Sequence, residues 1–173
     1  MGVQLRNPAQ GIKRWIFPEN VGVATTSGSS AAGRVVVCAF KVEYGLTVSG
    51  VQFINVATVA GNITVGIYGP LVTEDICDGS PLIASSTSTA AAGANQSQYI
   101  AFSSNVYLQP GRYYVAIEAS DATHTFGRVT INNLIAGYAG SYDRGGGYGA
   151  LTNPCPAVTP SQTNYPCFAI RCV

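Results

Sequence analysis

Residues 99–120, YIAFSSNVYLQPGRYYVAIEAS, constrain the fold more than any other stretch of this chain. In the first arm Ile100 and Phe102 alternate with Tyr99, Ala101 and Ser103, and Val106 and Leu108 carry the apolar period to a corner at Gln109-Pro110-Gly111. Proline presets φ at the second position of a turn, and glycine supplies the positive φ that a type II turn needs at the third. In the second arm Tyr113, Val115, Ile117 and Ala119 point one way, and Arg112, Tyr114, Ala116 and Glu118 point the other. A period of two, with one apolar and one polar row, is the pattern of a sheet with one buried and one wet face. The stretch predicts a β-hairpin at the centre of an antiparallel β-sandwich.

The rest of the chain repeats this grammar. Residues 34–44 place Val35, Val37 and Ala39 opposite Val36, Cys38, Phe40 and Val42, so both faces are apolar and the strand should be central. Residues 46–56 follow, with Gly50 marking a bulge or bend. Ile63, Val65 and Ile67 form another apolar row, and Gly69-Pro70 ends it. Short strands are expected at 81–86, at 123–131 and at 165–173. At 173 residues the chain fits one domain. Residues 1–33 differ from it. Pro8, Gly11, Pro18, Gly22 and the run Ser27-Gly28-Ser29-Ser30 break regular structure and predict an extended N-terminal arm leading into a single β-sandwich domain over 34–173.

Only 10% of residues are charged, against about 25% in an ordinary soluble domain. The surface must then be built from Ser, Thr, Asn, Gln, Gly, Ala and Tyr, which repels neighbours weakly. Such a surface suits packing against other subunits, and it also suits an extracellular β-domain. A net charge of +1 leaves no basic face for a nucleic acid. No run approaches the roughly 20 apolar residues that span a bilayer, and the opening residues carry no apolar signal segment, so synthesis in a cytoplasm is expected.

Chemistry is sparse. His124 is the single histidine, with Asp121 three residues before it, and no GxSxG elbow accompanies them. The acids on strands read as outward-facing and isolated, whereas a glycosidase needs a facing pair. Glu74, Asp75 and Asp78 crowd one loop without a calcium-loop spacing, and read as a solvated acidic loop. No phosphate-binding fingerprint appears. The expectation is a protein without catalytic residues, metal or cofactor. Of the five cysteines, Cys38 reads as a buried small hydrophobe, while Cys155, Cys167 and Cys172 crowd the C-terminal segment. A Cys155–Cys167 loop staple and a set of free thiols are both open at this point.

Two segments read as binding material. In the arm, Trp15-Ile16-Phe17 sits beside Arg6, Lys13 and Arg14, a mix of aromatic and cationic groups that carries energy at interfaces. The arm docks on another subunit with Trp15 as anchor, or Trp15 folds back over its own domain. Residues 137–149, GYAGSYDRGGGYG, place Tyr138, Tyr142, Arg144 and Tyr148 on a pliable backbone, suited to sugar stacking or a partner surface, or forming a plain surface loop.

The succession VVVCAFKVEYGLTVSGVQFINVATVAGNITVGIYG, SPLIASST, YIAFSSNVYLQPGRYYVAIEASD, THTFGRV and YPCFAIR resembles the β-sandwich domains of tailed-phage virion structural proteins: capsid decoration proteins, tail fibres and baseplate proteins. The resemblance is clearest over residues 65–117 and extends weakly over 15–171. It implies a jelly-roll-like module with no catalytic residues. With neither shaft nor attachment domain visible, it implies a capsid decoration or cement protein, trimeric, binding the major capsid protein or other virion proteins through the arm. It would be made in the host cytoplasm and located in the virion. A receptor- or glycan-binding tip on a tail or head spike, binding a host surface glycan, is the alternative that the same resemblance leaves open.

Overall fold

Runs of β-branched and aromatic residues at a period of two become strands along the chain. The computed structural model describes residues 15–16, 26–29, 32–71, 77–129, 139–144, 147–160 and 165–173, with backbone alone at 15–16, 26–29, 129, 139, 160 and 165–166. In chain order the strands are β1 (Trp15–Ile16), β2 (Thr26–Ser29), β3 (Arg34–Val42), β4 (Leu46–Ile54), β5 (Asn62–Tyr68), β6 (Leu82–Ser85) and β7 (Thr89–Ala90). They continue with β8 (Ser97–Leu108), β9 (Gly111–Ala119), β10 (Thr125–Val129), β11 (Ala139–Asp143), β12 (Thr159–Pro160), β13 (Tyr165–Pro166) and β14 (Phe168–Cys172). The described residues contain no helix.

The fold is an all-β antiparallel sandwich. One layer is a seven-stranded sheet in the order β12-β11-β3-β9-β5-β6, with β7 also paired to β5. The other is a four-stranded sheet in the order β1-β14-β4-β8. A three-stranded sheet, β13-β10-β2, is tied to the end of β4 by a bridge between Asn55 and Phe126. The two described strands of residues 1–33 pair with their own chain: Trp15 and Ile16 lie opposite Arg171 and Ile170, and β2 lies along β10. The expected arm contacts Arg6, Lys13, Arg14 and Phe17 lie outside the described residues, as do the side chains of Trp15 and Ile16.

The expected central hairpin is not one. β8 pairs with β4, while β9 lies between β3 and β5, so the corner at Gln109-Pro110-Gly111 carries the chain from one sheet to the other. Tyr113 steadies the corner by donating its hydroxyl to the Gln109 carbonyl at 2.9 Å. The reason is burial. Side by side in one sheet, the two apolar rows would still need a second layer. Placed in opposite sheets, Ile100, Phe102 and Leu108 of β8 and Tyr113, Val115 and Ile117 of β9 contribute to one core. The step from β3 to β4 crosses between sheets in the same way.

That core also takes Phe40, Val51, Phe53, Ile63, Val65, Ile67, Phe168 and Ile170, all at or below 2% exposure. Each such side chain contributes about 1.5–3 kcal/mol relative to an exposed position. Phe40 stacks on Tyr113 at 5.7 Å between ring centroids, and Phe53 meets Phe126 edge-on at 5.6 Å. Where the β4–β8 register shifts, between Val48 and Gly50, a Cβ on residue 50 would run into the Ile100 carbonyl oxygen and the Tyr99 hydroxyl. Only glycine lets the strands approach there.

Candidate interaction surface

The seven-stranded sheet closes its outer face with its own chain. The row of β9 expected to be wet is buried: Tyr114 is 2% exposed, and Ala116 and Glu118 are at 0%. Tyr114 and Ala116 join Val35, Val37, Ala39, Tyr68 and Tyr142 in a second core, covered by Leu151, Cys155 and Cys77. Gly66 makes the seat. A Cβ there would collide with Leu151 Cδ1, so the bare backbone is what lets Leu151 lie on the sheet.

Polar groups beneath this cover are paired. Glu118, read from sequence as an outward acid, accepts from Arg144 Nη1 on both carboxylate oxygens, at 3.2 and 3.1 Å. Burial pushes its carboxyl above the usual 4.5, while Arg144 and the Gly149 backbone pull the other way. Tyr68 donates its hydroxyl to the Thr152 carbonyl at 2.7 Å, so in the 2.6 Å contact between Tyr68 and Tyr142 it is Tyr142 that donates. Burial raises both phenols, Tyr142 to about 12. Tyr148 accepts from Thr64 Oγ1 at 2.8 Å and donates to Ser88 Oγ at 2.9 Å. These geometries correct the expected contact loop. Tyr142 is 5% exposed and belongs to the core, and Arg144 and Tyr148 bind their own sheet. Tyr138 lies outside the described residues.

The cysteine reading is corrected as well. None of the five cysteines is in a disulfide. Cys155 lies under the cover in one cluster with Cys77, whereas Cys167 lines a groove by the four-stranded sheet, so no Cys155–Cys167 bridge forms. Cys38 is buried in the central core, and burial raises its thiol far above the usual range.

His124 is fully buried, and both ring nitrogens are used. Nδ1 accepts from the Ala60 N–H at 3.3 Å, which makes Nε2 the protonated nitrogen that donates to Asn55 Oδ1 at 3.1 Å. Burial lowers its pKa below 6.5. The nearby Asp121 carboxylate instead accepts from the backbone and hydroxyl of Thr123 at 2.8 and 2.7 Å. The pair holds loops. Glu74 and Asp75 lie outside the described residues, and Asp78 accepts from the Val158 backbone at 2.8 Å. Among the described residues no three of His, Cys, Asp and Glu converge on a metal-sized site.

The outer face of the four-stranded sheet is different. Ile54, Tyr107 and Val173 are three of the four exposed large apolar side chains among the described residues, at 37%, 57% and 66%, and all lie on this sheet or at its end. Between them Arg171 stacks its guanidinium 4.9 Å from the centroid of Tyr99, whose hydroxyl donates to Ser49 Oγ at 2.9 Å. A groove of about 400 Å³ runs along Gln52, Phe53, Ile54, Ser97, Cys167, Phe168 and Ala169. Gln52 donates to Ser97 at 2.7 Å across it. Aromatic rings, an arginine held by a ring and few charges match the make-up of protein interface centres. None of these residues was singled out as a binding group from sequence. The available signal was Ile54 and Tyr107, large apolar groups on the outward half of strands whose inward half is already apolar.

The fold and this face together define a β-sandwich with one side covered by its own chain and, among the described residues, a second side that carries exposed apolar rings and a groove. No protein-family model matches the chain, and no curated protein matches it.

Proposed function

We propose that this chain is a non-enzymatic structural protein of a tailed-phage virion, a capsid decoration protein that clamps the shell through the open face of its four-stranded sheet. One observation carries the reading: a face built from Ile54, Tyr99, Tyr107 and Arg171 on a chain with only 10% charged residues. Burying such a face on a neighbour removes apolar area from water and desolvates few charges. The paired state of Glu118, Arg144 and His124 fits structural duties for the titratable groups. The partner is the major capsid protein or another virion protein, and the protein acts as a homotrimer.

Co-sedimentation with purified phage capsids tests this. Wild type should pellet with the shells, and an Ile54→Asp/Tyr107→Asp variant of unchanged circular dichroism should stay in the supernatant. Wild type that never pellets with any shell ends the reading. Light scattering should give three times the chain mass. A second reading, recognition of a host surface glycan, is favoured by the exposed rings of Tyr44, at 68%, and Tyr107, at 57%, since flat rings stack on sugars. Binding on a glycan array lost in Tyr107→Ala would favour it over the capsid role.

A further inference from the structure

We propose that Cys77 and Cys155 are a dithiol built to close into a disulfide that locks the cover onto the outer face of the seven-stranded sheet. The two thiols lie in one buried cluster, near enough for Cys155 to raise the resistance of Cys77 to ionisation, at 0% and 2% exposure. Their backbones are tied independently of the sulfurs. Ser80 N–H donates to the Cys77 carbonyl, Cys155 N–H to the Ser80 carbonyl, and Gly79 N–H to the Cys155 carbonyl, each at 2.9 Å. The turn at 77–80 and the segment around Cys155 are therefore held in register before any bond forms. Ser80 Oγ, buried beside them, has no hydrogen-bond partner. None of the other three cysteines belongs to this cluster.

The oxidant is a small-molecule disulfide of the glutathione type. Cys77 as thiolate attacks one sulfur of it, breaking that S–S bond, forming a mixed disulfide and releasing one small thiol. The thiolate of Cys155 then attacks the Cys77 sulfur, forming the Cys77–Cys155 bond and releasing the second small thiol. The protein loses two electrons and two protons, and the small disulfide gains them as two thiols. Burial of both sulfurs keeps the folded, reduced protein slow to react, so the bond forms when the cover opens in an oxidising medium, and not in a reducing cytoplasm. It closes a loop of about 80 residues, a size at which chain-entropy arguments give a large effect.

The experiment refolds the full chain in glutathione buffer, oxidised and reduced forms together, then alkylates it and maps its peptides by mass. A cross-linked peptide containing Cys77 and Cys155 is expected, with Cys38, Cys167 and Cys172 alkylated. The thermal midpoint of the oxidised protein should stand about 10 °C above that of the same protein kept in dithiothreitol. A Cys155→Ser variant refolded in the same buffer should stop at a glutathione adduct on Cys77. Recovery of Cys77 and Cys155 both alkylated, pairing of either with another cysteine, or a midpoint that does not rise on oxidation would each overturn the proposal. The oxidised and reduced wild type decide the matter even where the variant does not fold.

Discussion

The outer faces of the two main sheets solve one problem in opposite ways. The seven-stranded sheet carries residues 147–158 back over β3, β5 and β9, buries a carboxylate, three phenols and two thiols there, and pairs Glu118, Tyr68 and Tyr142 within its own chain. The four-stranded sheet leaves Ile54 and Tyr107 exposed beside the half-buried Arg171–Tyr99 stack. The difference teaches where mutational effects should fall. Changes under the cover act on stability, and changes on the open face act on association.

The sharpest way to break this contrast is Arg144→Met. It removes the cation that offsets the burial of the Glu118 carboxyl under the cover and should cost about 3–5 kcal/mol in urea unfolding. Adding Glu118→Gln should recover much of that loss, and no recovery would mean that the ion pair is not what the cover is built around. Gly66→Ala should cost about 1–3 kcal/mol by pushing Leu151 off its seat. A value near zero would mean that Leu151 does not pack there. Tyr142→Phe removes the donor to Tyr68 and should cost about 1–2 kcal/mol in the same measurement. Ile54→Ser, on the open face, should stay within about 0.5 kcal/mol of wild type. A loss as large as that from Gly66→Ala would show that both faces are structural.

Acid adds a further test. The folded pKa of His124 is lowered from 6.5, so the unfolded chain takes up a proton before the folded one does. Stability therefore falls as pH drops below about 6.5, towards the folded pKa. Glu118 runs the other way. Its folded pKa is raised from 4.5, so its contribution declines as pH rises through that raised value. A melting midpoint measured between pH 7 and 5 should fall, and His124→Asn should flatten that fall.

The inward rows were legible in the sequence because they repeat at the period of the strand itself. Tyr113, Val115 and Ile117 of β9, and Ile63, Val65 and Ile67 of β5, all lie in the central core. The outward rows were not. Tyr114, Ala116 and Glu118 look like a wet face, and what buries them is an aperiodic segment some thirty residues further on whose docking depends on the missing side chain at Gly66. The corner at Gln109-Pro110-Gly111 was legible as a turn but not as a sheet crossing, since the same turn residues serve both and only distant pairing decides. The neighbourhood of Cys77 and Cys155 is equally non-local. On the open face, the stacking of Arg171 on Tyr99 depends on how β4 registers with β8 and β14.

The crossings from β3 to β4 and from β8 to β9 also govern how this chain can be assembled and taken apart. Neither layer is a contiguous piece of polypeptide, so neither half can mature first and wait for the other. A transition state for such a topology must gather sequence-distant segments at once, which places this protein among slow folders. A nick at residues 109–111 would yield two fragments that stay interleaved and separate only on denaturation.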